Sequence, residues 1–162
     1  MGKGEKGGFM DERLTKAFSS AAVGAFKDMF GLAASAGPVV ELVPGGTHGW
    51  DITGLVGLAG QGQGIVGIRL TRSLVAKLLV HSGVVAAEGE MRELEGGLVG
   101  ELTNIIAGQA ISALAGLDIE IAPPVVIRGP NHSISWPNIA PVLQMPFKLP
   151  DGAFEIDLCM KV

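Results

Sequence analysis

GGLVGELTNIIAGQA, from Gly96 to Ala110, is the stretch from which the rest of the chain is best read. At about 100° per residue, Gly97, Glu101, Asn104 and Gly108 fall within roughly 60° of one another on a helix. Leu98, Leu102, Ile105, Ile106 and Ala110 all fall outside that arc, on the other side. The segment therefore predicts a core-packed helix whose outward ridge holds one carboxylate and one carboxamide between glycines. Glycine in a helix interior costs about 1 kcal/mol relative to alanine, so several on one helix suggest that something comes close to its backbone. The plainer reading of the same face is a solvated surface with glycines chosen for tight packing. An E-x-x-N spacing alone is too short to decide between the two.

Upstream, this helix opens with Glu88, Glu90, Glu93 and Glu95 near the positive end of its dipole, and it closes near Ala115-Gly116. Downstream, Ile119–Arg128, Ile139–Phe147 and Ala153–Met160 read as strands, the last two joined by the turn Pro150-Asp151-Gly152. Pro141 and Pro146 weaken the middle one, since proline has no N–H to give to a ladder. Toward the N-terminus, residues 1–9 are rich in Gly and Lys and read as a flexible leader, leaving one domain over residues 10–162. From Asp11 to about Ala34, Leu14, Phe18, Ala22, Ala25, Phe26, Met29 and Leu32 form the apolar stripe of an amphipathic helix, which Ala36-Gly37-Pro38 should end. Val39–Val43 reads as a short strand, Pro44-Gly45-Gly46 as a turn and Trp50–Leu58 as a longer strand. Ile65–Leu70 follows a glycine-rich bend as the second arm of a hairpin. Thr71 or Ser73 can cap a helix running to about His81.

The two halves resemble each other. Pro38-Val39-Val40, Pro44 and Trp50 recur 86 residues later as Pro124-Val125-Val126, Pro130 and Trp136, and Gly64–Leu70 resembles Gly152–Leu158. A repeat is the simplest cause, each half being a long helix followed by three strands, with the Ser73–His81 helix between them. The first helix then corresponds to the third, and a second site would lie near Lys16 to Ser19. No second E-x-x-N stands there.

Composition narrows the function. A chain of 162 residues is large enough for one core. Net charge is −4, with 12 basic residues spread singly, whereas a nucleic-acid groove needs clustered Lys and Arg. The lone Cys159 and the lack of a signal-like start point to a reducing cytoplasm. Leu102–Leu117 is uncharged but includes Thr103, Asn104, Gln109 and Ser112 and falls short of the roughly 20 apolar residues of a membrane span. Gly62-x-Gly64-x-x-Gly67 matches a dinucleotide fingerprint formally, yet it leads into strand-like residues rather than a helix. His48, His81, His132 and Cys159 lack zinc-site spacing, so no cofactor or metal is expected in this chain.

GELTNIIAGQA, preceded by WDITGLVGLAGQGQGIVGIRLT and followed by PPVVIRG, resembles the CheX/CheC/FliY family of chemotaxis phosphatases, and most of all its single-site CheX branch. The resemblance implies an α+β domain: a two-layer arrangement of two pseudo-symmetric halves, with helices on a mainly antiparallel sheet. It implies hydrolysis of the aspartyl-phosphate of a CheY-like response-regulator receiver domain, with Glu101 and Asn104 as catalytic residues and Gly97, Gly100 and Gly108 as the partner-facing surface. It also implies Mg2+ in the receiver partner and a homodimer formed by joined sheets. Many members carry Asp or Ser where this chain has Gly97. The chemistry suits the residues: an acyl phosphate is already activated, so a neutral carboxamide that aligns water is sufficient, and Glu101 can pair with a cation, by resemblance the receiver's lysine. A non-catalytic adaptor that docks to a receiver or flagellar switch through the same helix is the alternative.

Overall fold

The computed structural model describes residues 2–43 and 49–162, with side chains described from Glu12 onward. The elements run α1 (Gly2–Phe30), β1 (Ser35–Ala36), β2 (Val40–Glu41), β3 (Ile52–Gly60), β4 (Gln63–Leu70), α2 (Arg72–His81), α3 (Met91–Ser112), β5 (Ile119–Ile121), β6 (Val125–Arg128), β7 (Leu143–Leu149) and β8 (Gly152–Lys161). The Pro44-Gly45-Gly46 turn falls outside the described residues, and α1 begins at Gly2, within the stretch read as a leader, rather than at Asp11. Among the described residues, no helix is long and apolar enough to cross a membrane.

Helix α1 buries Leu14, Phe18, Ala22, Ala25 and Phe26, the stripe expected from its period. It stops earlier than Ala36-Gly37-Pro38 would have stopped it. Gly31 takes φ +68°, its N–H returns to the Lys27 carbonyl, and the Leu32 N–H returns to that of Phe26. A glycine accepts that left-handed conformation without the Cβ penalty, so it closes the helix. Helix α2 begins as expected, with Thr71 Oγ1 accepting the Leu74 N–H at 3.1 Å.

All strand pairs are antiparallel, in the order β1-β7-β8-β4-β3-β5, with β2 also on β7 and β6 also on β3. The repeat is visible in this order, with two corrections. Each half holds a long helix, two short strands and two long ones, not three strands. Gly37-Pro38 and Pro123-Pro124 fall between the short pairs, where a proline cannot supply a ladder N–H. The short strands are also exchanged between halves: β1 and β2 pair with β7, while β5 and β6 pair with β3. At the centre, β4 meets β8 with Ile68 opposite Ile156, its own counterpart in the alignment of Gly64–Leu70 with Gly152–Leu158. The pseudo-twofold therefore passes through that pair.

Strand alternation divides the sheet into two faces. Ile52, Val56, Val66, Ile68, Leu70, Phe147, Phe154 and Ile156 join the helices in one core, in which Phe26 stacks on Phe154 at 4.2 Å and Phe154 on Phe147 at 4.7 Å between ring centroids. The opposite face holds Thr53, Arg69, Asp157 and Cys159, all buried, because the segment from Gly129 to Val142 folds over them. Trp136 lies on Gly67, where an added Cβ would sit 3.1 Å from its ring.

Candidate functional site

Helix α3 is the element that presents the candidate residues. Leu98, Leu102, Ile106 and Ala110 are buried and Ile105 is half-buried, while Gly97, Glu101 and Asn104 are exposed and Gly108 is half-buried. The ridge thus stands on the solvent side, with Glu101 and Asn104 one turn, about 4.5 Å of rise, apart. A Cβ at Gly97 or Gly108 would meet nothing within 4 Å among the described residues, so packing against them demands neither glycine. Gly100 is different. It is buried, with a Cβ position 3.7 Å from Val126 Cγ2 and 3.9 Å from Pro124 Cγ, so it belongs to the contact with β6 and not to the outward surface expected for it.

The helix starts at Met91, three residues later than the carboxylate run suggested, because Gly89 at φ +86° precedes it. Of the four acids read as dipole partners, Glu95 serves another purpose. It is buried, 3.4 Å from Arg72 Nε and 3.9 Å from Arg128 Nη1, and Arg128 also donates to the Arg92 carbonyl. A buried carboxylate needs such partners. These pairs tie the start of α3 to α2 and to the end of β6.

Depth is set by a contact that periodicity did not show. A Cβ at Gly54 of β3 would lie 1.9 Å from Thr103 Oγ1, and Thr103 is itself buried, donating to the Val99 carbonyl at 2.7 Å. The bare glycine lets α3 lie close on the sheet and thereby fixes the height of the ridge that carries Glu101 and Asn104. Glycine within a strand is the sequence signal for such an approach.

The other stretches weighed in the sequence lie elsewhere in the fold. On α1, at the place the repeat assigns, Lys16 is exposed and Ser19 half-buried. The dinucleotide-like glycines lie in and beside β4, a strand. His81 pairs with Asp151, and His132 Nε2 contacts Thr53 Oγ1 at 2.6 Å. Cys159 Sγ faces the Pro137 and Ala140 carbonyls at 3.4 and 3.5 Å, and burial pushes its thiol up from the usual range. Among the described residues, no three His, Cys, Asp or Glu side chains converge as metal ligands do.

Glu101 and Asn104 are exposed on the outward face of α3, Glu101 at the edge of an open groove, so both side chains can meet another macromolecule. A family model for chemotaxis phosphatase CheX matches residues 52–148, more than half of the chain, and the chain belongs to that family. Its fold is similar to that of the chemotaxis protein CheX from Desulfovibrio desulfuricans, at 27% identity and a TM-score of 0.82 over 91% of this chain and 99% of that one. It is similar to CheX from Vibrio vulnificus, at 26% identity and 0.81 over 91% and 99%. It is also similar to a chain of the CheX–CheY–BeF3–Mg2+ complex from Borrelia burgdorferi, at 26% identity and 0.76 over 91% and 97%. A search of curated proteins gives no match.

Proposed function

We propose that this chain removes phosphate from the aspartyl-phosphate of a CheY-like receiver domain, with Asn104 aligning the attacking water and Glu101 pairing with a lysine of the partner. The observation that carries this reading is the exposure of one neutral carboxamide and one carboxylate, a turn apart, on a helix whose other faces are buried. Water adds to phosphorus opposite the aspartyl oxygen, the bond to that oxygen breaks, and inorganic phosphate and a free carboxylate leave. The leaving group is already good, so the helix has only to place the water and bring in no repelling charge at that point. Asn104 accepts from the water through Oδ1 and donates through Nδ2; having no titratable group, it positions rather than acts as a base. Support for the receiver as partner comes from the family and from the CheX–CheY complex among similar structures; the Mg2+ would be the partner's. The test is direct: mix the protein with phosphorylated receivers and Mg2+ and follow inorganic phosphate. No acceleration over the receiver's own decay would sink the reading.

Two variants probe the ridge. Glu101→Ala removes the charge that sets docking register, so the complex should weaken several-fold, and its affinity should depend less steeply on salt than that of the unmodified protein. Titrations at two ionic strengths check this, and equal salt slopes would remove Glu101 from the interface. Gly97→Leu starts from a Cβ position that no described residue approaches within 4 Å. It should leave the fold intact and add about 0.8 kcal/mol of helix propensity while obstructing the partner. Normal phosphate release by a variant with unchanged or raised melting temperature would show that the low ridge is incidental.

A further inference from the structure

Beside Glu101 the surface opens into a groove of about 480 Å3 between the end of α1, the end of α2 and the first half of α3. Its walls are apolar, with Met29, Leu79, Val84 and Leu94 among them, and Glu93 and Glu101 line it together with the bare Gly97. The connection from α2 to α3 adds apolar surface nearby: Val84 is 39% exposed, Val85 92%, and Val80 at the end of α2 76%. Valines so exposed in one short stretch are uncommon on a surface that has no partner. Resting on the phosphatase reading above, we propose that this groove takes an apolar side chain of the receiver partner that has a basic residue beside it, so that docking has an apolar anchor next to the Glu101 ion pair.

Two observations name this occupant. First, the groove is continuous with the candidate site, since Gly97 and Glu101 belong to both. A partner whose phosphoryl group reaches Asn104 also covers the neighbouring turn of α3. Second, the acids at the groove, Glu93 and Glu101, and the exposed Glu88 and Glu90 before α3, call for a cationic surround rather than an acidic one. Interfaces draw most of their affinity from a few buried apolar or aromatic anchors, with charges adding register and rate. The anchor would hold the partner while Asn104 acts, and it would distinguish receivers that carry an apolar residue at that place from those that do not.

The test uses the full chain and a receiver held in its phosphorylated form by beryllofluoride and Mg2+. Val84→Asp should raise Kd about tenfold or more, with phosphate release at saturating receiver within about twofold of normal, while Val84→Met should bind as the unmodified chain does. A fluorophore on Val84→Cys gives an independent readout, because Cys159 is buried and stays unlabelled. Its emission should shift when the receiver is added. If Val84→Asp binds normally and the probe stays silent, while Asn104→Ala still loses turnover, the groove proposal is overturned and the phosphatase reading stands. A receiver that neither binds nor is dephosphorylated by the unmodified chain would overturn both. A probe that shifts on concentrating the protein alone would assign the groove to a second copy of this chain and overturn the proposal as well.

Discussion

Asn104→Ala is expected to lower the turnover of phosphorylated receiver by about a hundredfold while leaving its Kd within about twofold. The side chain is exposed on α3 and is not among the groups that hold the helix in place, so its removal leaves Glu95, Thr103 and the apolar stripe untouched. What is lost is the alignment of water with phosphorus, an interaction made mainly in the transition state, and losses of this kind fall on kcat rather than on binding. A displacement of about 1 Å at a reacting centre can cost a hundredfold, which sets the scale. Single-turnover phosphate release and a binding titration on the same protein separate the two effects. Turnover at the unmodified rate would exclude water positioning by this residue and favour the adaptor that docks without catalysing.

Arg69→Ala is expected to destabilise the fold by about 3 kcal/mol or more. The side chain is 1% exposed on the sheet face opposite the helices, where Nη2 donates to the His132 carbonyl at 3.1 Å, Nε to Thr53 Oγ1 at 3.3 Å, and Nη1 reaches Asp157 Oδ2 at 3.4 Å. Truncation leaves three polar groups with less than they need, at about 1–3 kcal/mol for each one orphaned, and a cavity beneath the covering segment. Urea unfolding measures the loss, and a value below about 1 kcal/mol would show that the cluster is dispensable.

Asp157→Asn should behave differently. Burial, and then the neighbouring Glu155 carboxyl, push Asp157 up to about 9 against the pull of Arg69. In the unfolded chain an aspartate titrates near 3.9, roughly, so between those values the folded chain holds a proton that the unfolded chain has released. The stability tied to that proton is complete below about pH 4 and is lost as pH rises toward 9. Between pH 5 and 8 the unmodified protein should therefore weaken with rising pH, and Asp157→Asn, which needs no proton, should weaken less. The single unpartnered buried side-chain oxygen among the described residues, Asp157 Oδ1, belongs to this same group. Identical pH slopes for the two proteins would mean that another group is responsible.

Much of this molecule follows from short-range rules. The inward residues of α1 and α3 are those that a 3.6-residue period selects, because a helix in a protein of this size is held mainly by burying one stripe. The hairpin of β3 and β4, the Thr71 cap, the turn at Pro150-Asp151 and the outward placement of Glu101 and Asn104 are equally local, depending on glycine and proline geometry, a hydroxyl near a free N–H, or angular spacing. The kinship of the two halves was legible in the same way, since identities from Pro38 to Trp50 keep one offset of 86 residues.

The helices, the long strands and the outward places of Glu101 and Asn104 could be read from the chain alone, for these depend on neighbours a few residues away. What lies between distant parts came from tertiary packing. The exchange of short strands between halves joins segments far apart in the chain, β1 and β2 to β7 and β5 and β6 to β3. The burial of Glu95 depends on Arg72 and Arg128, remote in sequence, whose charges make a buried carboxylate tolerable. Gly54 and Gly100 are glycines like Gly97 and differ in what faces them: Thr103 of the overlying α3 for Gly54, β6 for Gly100, and none of the described residues for Gly97. The cost of burying a charge, or of adding one methyl group, depends on atoms that only folding brings together, and no local pattern records them.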